Sequence, residues 1–161
     1  MRKHTILLII ITLVFCLSVA PSATAASDEE EIIQVETNFI KAYTTGDFEL
    51  MSSLYWHSSK TSTFFPGTQP LLGQGWEELL ENRWKSIFAS PAVNTTITFH
   101  HPQVTMIKDD VAVITGYECV ANTDPTTQEE VVSHNRVTRV VKKIRGKWLI
   151  VHDHVSQVPV E

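Results

Sequence analysis

The chain has 161 residues, 43% hydrophobic and 19% charged, which is apolar material for one packed domain and excludes a multidomain assembly, a long coiled coil or a disordered chain. The formal net charge is −5. Without Arg2 and Lys3 the 13 basic residues become 11 against 18 acidic ones, a net −7, so no nucleic-acid partner is expected, because such a surface needs a basic stripe.

Arg2 and Lys3 precede an apolar run from Ile6 to Val19, and Ala23-Thr24-Ala25 follows as a small-residue cleavage site. This is the pattern of a secretory signal peptide over residues 1–25, and the run is short for a membrane-spanning helix. The expected mature protein covers residues 26–161. It begins at Ala26, is secreted or periplasmic, and has no membrane association after cleavage. Cys16 leaves with the signal and Cys119 remains single. No intramolecular disulfide is then possible, and stability must come from the core.

Ser27-Asp28-Glu29-Glu30 reads as a capping box. Ile32, Ile33, Phe39, Ile40 and Tyr43 recur at helical spacing behind it, and Gly46 suits the helix end. Asp47 caps a second short helix, Phe48 to Tyr55. Thr61 to Phe65 is a β-prone run closed by Pro66-Gly67. A third helix carries Trp76, Leu80, Trp84, Ile87 and Phe88 on one stripe and stops at Pro91. The period then changes to two. Thr95 to Ile107, interrupted by Pro102, Val111 to Ala121, Val131 to Lys143 and Trp148 to Val155 read as strands, the last two joined by a tight turn at Arg145-Gly146. Helices ahead of a long meander predict an α+β fold: three N-terminal helices on one face of a strongly curved antiparallel sheet, forming a cone with a pocket.

The order helix, helix, strand, helix, meander resembles the nuclear transport factor 2-like superfamily, in particular its SnoaL-like branch and the association domain of calcium/calmodulin-dependent kinase type II. The resemblance is carried by Glu31-Ile32-Ile33, Gly46-Asp47-Phe48-Glu49, His101-Pro102-x-Val104, Thr138-Arg139-Val140 and Gly146-Lys147-Trp148-x-x-Val151-His152-x-His154-x-Ser156. No kinase motif accompanies them. This fold hosts isomerases, cyclases, hydrolases and assembly hubs, so it does not by itself give a function.

Strict alternation puts Trp148, Ile150, His152, His154 and Ser156 on one face of the last strand and Leu149, Val151, Asp153 and Val155 on the other. It groups Asn135, Val137, Arg139 and Val141 on the strand before, and Ala112, Ile114, Gly116 and Glu118 on the middle strand. The resemblance implies that the faces bearing Glu118, Arg139, Asp153 and Val155 look into the cone. Where the association domain carries arginines this chain has Glu118 and Val155, so an anion preference does not carry over.

Two carboxylates and a guanidinium in an apolar cone suit general acid/base work, since burial raises a carboxyl pKa and Arg139 lowers it. Arg139 has two alternative roles: an ion pair with Glu118 or Asp153, or a clamp on a ligand carboxylate. Tyr55, Trp84 and His57 complete the candidate pocket set. Tyr55 is matched to the isomerase tyrosine donor only by rough location. His152 and His154, with His134 nearby, have the residue types of a metal site, but spacing fixes no third ligand. No metal and no cofactor are expected. Three functions remain open: an exported module binding a small, partly apolar molecule; a cofactor-independent isomerase, cyclase or hydrolase; and a homo-oligomeric interaction module. A homodimer or larger ring is expected through the outer sheet face, to which alternation assigns Trp148, Ile150, Val140, Tyr117 and Val113.

Overall fold

Ser27 opens α1 (Asp28–Thr45) with the reciprocal capping box that the sequence predicts: its hydroxyl accepts from the Glu30 amide, and the Glu30 carboxylate accepts from the Ser27 amide. Gly46 ends the helix in the left-handed region, at φ 66°. Asp47 then accepts from the Leu50 amide and starts α2 (Phe48–Leu54). In this computed structural model, which describes residues 26–65, 72–89 and 94–159, the remaining elements are β1 (Ser62–Phe64), β2 (Leu72–Gln74), a π-helical turn (Trp76–Leu80), α3 (Glu81–Ala89), β3 (Asn94–Lys108), β4 (Val111–Thr123), β5 (Glu130–Ile144) and β6 (Lys147–Gln157). The expected signal peptide and the expected helix stop at Pro91 lie outside the described residues. Among those described, no helix is long and apolar enough to cross a membrane.

The strands form one six-stranded sheet in the order β2-β1-β6-β5-β4-β3. The β3 to β6 meander is antiparallel, as expected. The sheet as a whole is mixed, because β1 pairs parallel with β6. Arg145 and Gly146 both take positive φ, 52° and 80°, which is the backbone twist a two-residue hairpin loop requires. Ile32, Phe39, Ala42, Met51, Leu54, Trp76, Leu80 and Trp84 from the helical layer pack against Ala112, Ile114, Val141, Trp148 and Ile150 from the sheet. Lys143 and Trp148 both donate to one oxygen of Asp28, at 2.5 and 3.1 Å, fastening the start of α1 to the β5–β6 hairpin.

Two irregularities set which side chains face inward. On the edge strand β3 the register shifts between His100 and Gln103, at His101 and Pro102. A proline has no amide to donate, so a bulge on an edge strand is where a sheet tolerates it. On β6, Val140 pairs with His152 but Val141 pairs with Ile150, leaving Val151 as an extra residue. The bulge reverses the alternation expected for this strand. Trp148 and Ile150 therefore share the inner face with Asp153 and Val155, and all four are buried. Trp148 and Ile150 are core residues, not part of an outer face, which corrects their assignment by strict alternation. On β4 and β5 the alternation holds, with Ala112, Ile114, Glu118, Asn135, Val137, Arg139 and Val141 all buried.

Opposite the β3 bulge, the Phe99 ring lies over Gly116, where a Cβ would meet its Cζ at 2.4 Å. A side chain here has to displace a ring packed against the core. Gly116→Val is expected to destabilise the protein by about 1–3 kcal/mol in chemical denaturation, as overpacking does; an unchanged midpoint would mean that Phe99 yields without loss.

Candidate functional site: a buried guanidinium with three carboxylates beneath a cavity

Arg139 sits midway along β5, between Ile114 of β4 and Asp153 of β6 in the register. Its side chain is 0% exposed. Three carboxylates converge on it from three elements. Nη2 donates to Glu118 Oε1 of β4 at 3.2 Å. Nη1 donates to Glu36 Oε2 of α1. Nε lies 3.2 Å from Asp153 Oδ1, but neither atom has a hydrogen-bond partner, so that contact is charge attraction without hydrogen-bond alignment. The Phe39 ring covers the guanidinium, its centroid 3.8 Å from Cζ, an arrangement that favours a desolvated cation. Tyr55 hydroxyl donates to Asp153 Oδ2 at 2.9 Å.

The charges do not balance: three carboxyl groups face one guanidinium. Burial pushes Glu36 up to about 7, against the lowering pull of Arg139, and the charges of Glu118 and Asp153 add to the rise. Burial also raises Glu118, again partly offset by Arg139. Tyr55 is held well above its ordinary value by burial and by Asp153. Burial alone would lower Arg139, but Asp153, Glu36 and Glu118 more than reverse this, and the guanidinium stays charged. Glu36 Oε1 is buried without a hydrogen-bond partner, consistent with a carboxyl that holds a proton near neutrality rather than a fully solvated carboxylate.

Above the cluster lies a cavity of about 340 Å³. Phe39 and Tyr43 of α1 and Trp84 and Ile87 of α3 form the helical wall, Phe65 after β1 adds to it, and Ile97, Val120 and Val155 are the apolar part of the sheet wall. Glu118, Asn122, Ser133, Asn135 and Gln157 supply its polar groups. Of the residues singled out from the sequence, Glu118 and Trp84 line this cavity, and so does Val155, whose face the resemblance turns into the cone. Arg139, Asp153 and Tyr55 are fully buried and are not among its lining residues. Arg139 therefore takes the ion-pair alternative, with a third partner added, and its donors are turned to protein carboxylates rather than to a ligand. His57 lies outside the cavity: it is exposed, stacks on Trp76 at 4.4 Å between centroids, and hydrogen-bonds Ser52 O at 2.9 Å.

Glu36 escaped the sequence reading. It stands four residues after Ile32 and three before Phe39, both buried on the same face of α1. A carboxylate inside an apolar helical stripe is the signal that finds it. On the outer face, His152 Nδ1 meets Ser62 Oγ at 2.8 Å, and its pKa is lowered by burial. His154 is exposed. Among the described residues no three His, Cys, Asp or Glu side chains are grouped to hold a metal ion.

Helices laid across a curved meander, with a cavity between the layers, define the NTF2-like architecture. The SnoaL-like domain pattern matches residues 32–161, and the chain belongs to that family. No curated protein matches the sequence. Among solved structures, an NTF2-like family protein from Streptomyces avermitilis, a candidate dehydratase, aligns with a TM-score of 0.72 and 21% identity over 83% of this chain and 97% of its own. A candidate calcium/calmodulin dependent protein kinase II association domain from Xanthomonas campestris gives 0.69 and 22%, covering 86% of this chain and 93% of its own. The association domain of C. elegans CaMKII gives 0.67 and 23%, covering 80% and 94%. These likenesses establish the shared fold.

Two outcomes follow from the cluster. Arg139→Met leaves three buried carboxyl groups without their cation and should destabilise by about 3–5 kcal/mol; calorimetric melting that matches the parent would refute the ion-paired arrangement. Glu36 binds its proton more tightly folded than unfolded, so its contribution is fully present below the ordinary glutamate range and is lost as pH rises through about 7. Glu36→Gln should therefore gain stability relative to the parent, by about 2–3 kcal/mol between roughly pH 5 and 8. A difference that does not vary with pH would place Glu36 in a solvated setting.

Proposed function

We propose that this SnoaL-like domain is an exported protein that holds a small, partly apolar molecule in the cavity between α1, α3 and the sheet. The observation that carries this reading is the cavity itself. Its volume of about 340 Å³ falls within the ~300–1,000 Å³ range of small-molecule sites. Its walls combine aromatic and aliphatic side chains with a few polar groups, the composition of a site that buries an apolar body and orients one polar end. The apolar run Ile6 to Val19 and the Ala23-Thr24-Ala25 site support export with Ala26 as the mature N-terminus.

A second reading has its own support. Glu118 is the carboxyl group on the cavity wall, and burial raises its pKa. A carboxyl poised this way suits cofactor-independent proton transfer to or from a bound molecule, in an isomerase, cyclase or hydrolase. The homo-oligomeric reading is supported by the outer sheet face, where Tyr117 is 52% and Val132 47% exposed and Val113 and Val140 are half-buried beside them. Exposed apolar side chains on a sheet face favour a second copy.

Native mass spectrometry of the purified mature protein addresses binding and assembly together. A co-purified small molecule and a subunit number of two or more are expected, and Val120→Trp, which fills the cavity, should lose the adduct without changing the subunit number. An adduct retained by the filled variant would remove the cavity from the account, and a ligand-free monomer would contradict both readings.

A further inference from the structure

We propose that the molecule held in this cavity is a small organic cation, an amine or ammonium head paired with Glu118 on an apolar body set against the aromatic wall. This rests on the reading of the cavity as a ligand site and adds the sign of the ligand's charge.

Among the described residues lining the cavity, Glu118 is the one formally charged side chain, and no Lys, Arg or His lines it. The nearest cation, Arg139, is 0% exposed and faces Glu36, Glu118 and Asp153. Fully buried and absent from the cavity lining, it is out of reach of an incoming anion. An anionic ligand would instead lie beside Glu118, with Asp153 and Glu36 behind it, and like charges in a desolvated site repel strongly.

Glu118 is arranged to receive a positive group. One oxygen accepts from Arg139 Nη2. The other makes no hydrogen bond to a described residue, and the side chain forms part of the cavity wall. A carboxylate that shares one oxygen with a guanidinium keeps acceptor capacity on the second. The cluster as a whole carries three carboxyl groups against one guanidinium, and a bound ammonium supplies part of the missing positive charge.

The wall opposite the charge suits the same ligand. Tyr43 and Phe65 pack edge to face against Trp84, at 6.2 and 5.5 Å between centroids, and all three line the cavity. Aromatic rings attract cations as well as apolar groups, and aromatic walls are a recurrent way of holding ammonium heads in proteins. Asn135, Ser133 and Asn122 add neutral hydrogen-bonding groups without adding charge.

The test uses three probes with one phenyl body and different heads: 2-phenylethylammonium, 2-phenylethanol and phenylacetate, titrated calorimetrically into the intact mature protein. The ammonium probe should bind at least about tenfold more tightly than the alcohol, with phenylacetate weakest. Glu118→Gln should abolish the preference for the ammonium. Should that variant not fold, the parent's pH profile decides: Glu118 is bordered by Arg139 from β5, Asp153 from β6, and Glu36 and Tyr43 from α1, and its protonation on acidification should weaken the ammonium probe while leaving the alcohol unchanged. If the alcohol or phenylacetate binds as tightly as the ammonium, the cation assignment is wrong and the cavity reading stands. If none of the three binds at about 10 mM, a concentration that detects even millimolar affinity, the cavity reading falls as well.

Discussion

A guanidinium keeps its proton under all physiological conditions, so a fold that buries Arg139 has to bring negative charge to it. Here α1, β4 and β6 each contribute one carboxyl group. The helical layer and two neighbouring strands are thereby tied to one point on β5, in a molecule whose one described cysteine is free. The supply of negative charge exceeds the demand. Glu36 meets part of the excess by holding a proton near neutrality, its pKa raised to about 7, and Phe39, itself part of the cavity lining, covers the guanidinium. Breaking such a cluster is costly because each survivor is left desolvated.

The cluster and the cavity divide the work. Arg139, Asp153, Tyr55 and Glu36 are buried and hold the layers in place. Glu118 belongs to both, with one oxygen on Arg139 and its side chain on the cavity wall. Glu118 is thus the one residue through which the charge of the buried cluster reaches the described cavity wall. The solved structures that share this fold at 21–23% identity do not decide what is bound.

The parts of the fold legible in the sequence are those governed by local chemistry. Ser27 with Glu30, Gly46, Asp47 and Arg145-Gly146 each do in the structure what their side chains or missing Cβ require within a few residues. The faces of β4 and β5 were legible for a similar reason, since alternation is uninterrupted there. It failed on β6 because one extra residue at Val151 reverses every side chain beyond it, and nothing in Leu149-Ile150-Val151-His152 signals a bulge. β2 was illegible because Leu72–Gln74 is a strand only through its pairing with β1. The π-helical turn at Trp76–Leu80 carries no sequence signal that separates it from ordinary helix, since its stripe of apolar residues continues into α3. Glu118, Arg139 and Asp153 came from parity and resemblance together. Glu36 was visible in principle, as a charge on the buried stripe of α1, but only its contact with Arg139 gives it a meaning.

Three carboxyl groups share one buried guanidinium, and Glu36 among them is therefore displaced far from its ordinary range. Site-resolved carbon-13 NMR of the glutamate and aspartate side-chain carboxyls across a pH titration tests it most directly. The account predicts that Glu36 titrates near pH 7, that Glu118 also titrates above the ordinary glutamate range, and that the two carboxyl signals respond to each other's protonation. Independent titration of Glu36 and Glu118 near the free-glutamate value of about 4.3 would show solvated carboxylates and contradict the buried cluster on which the rest of the account depends.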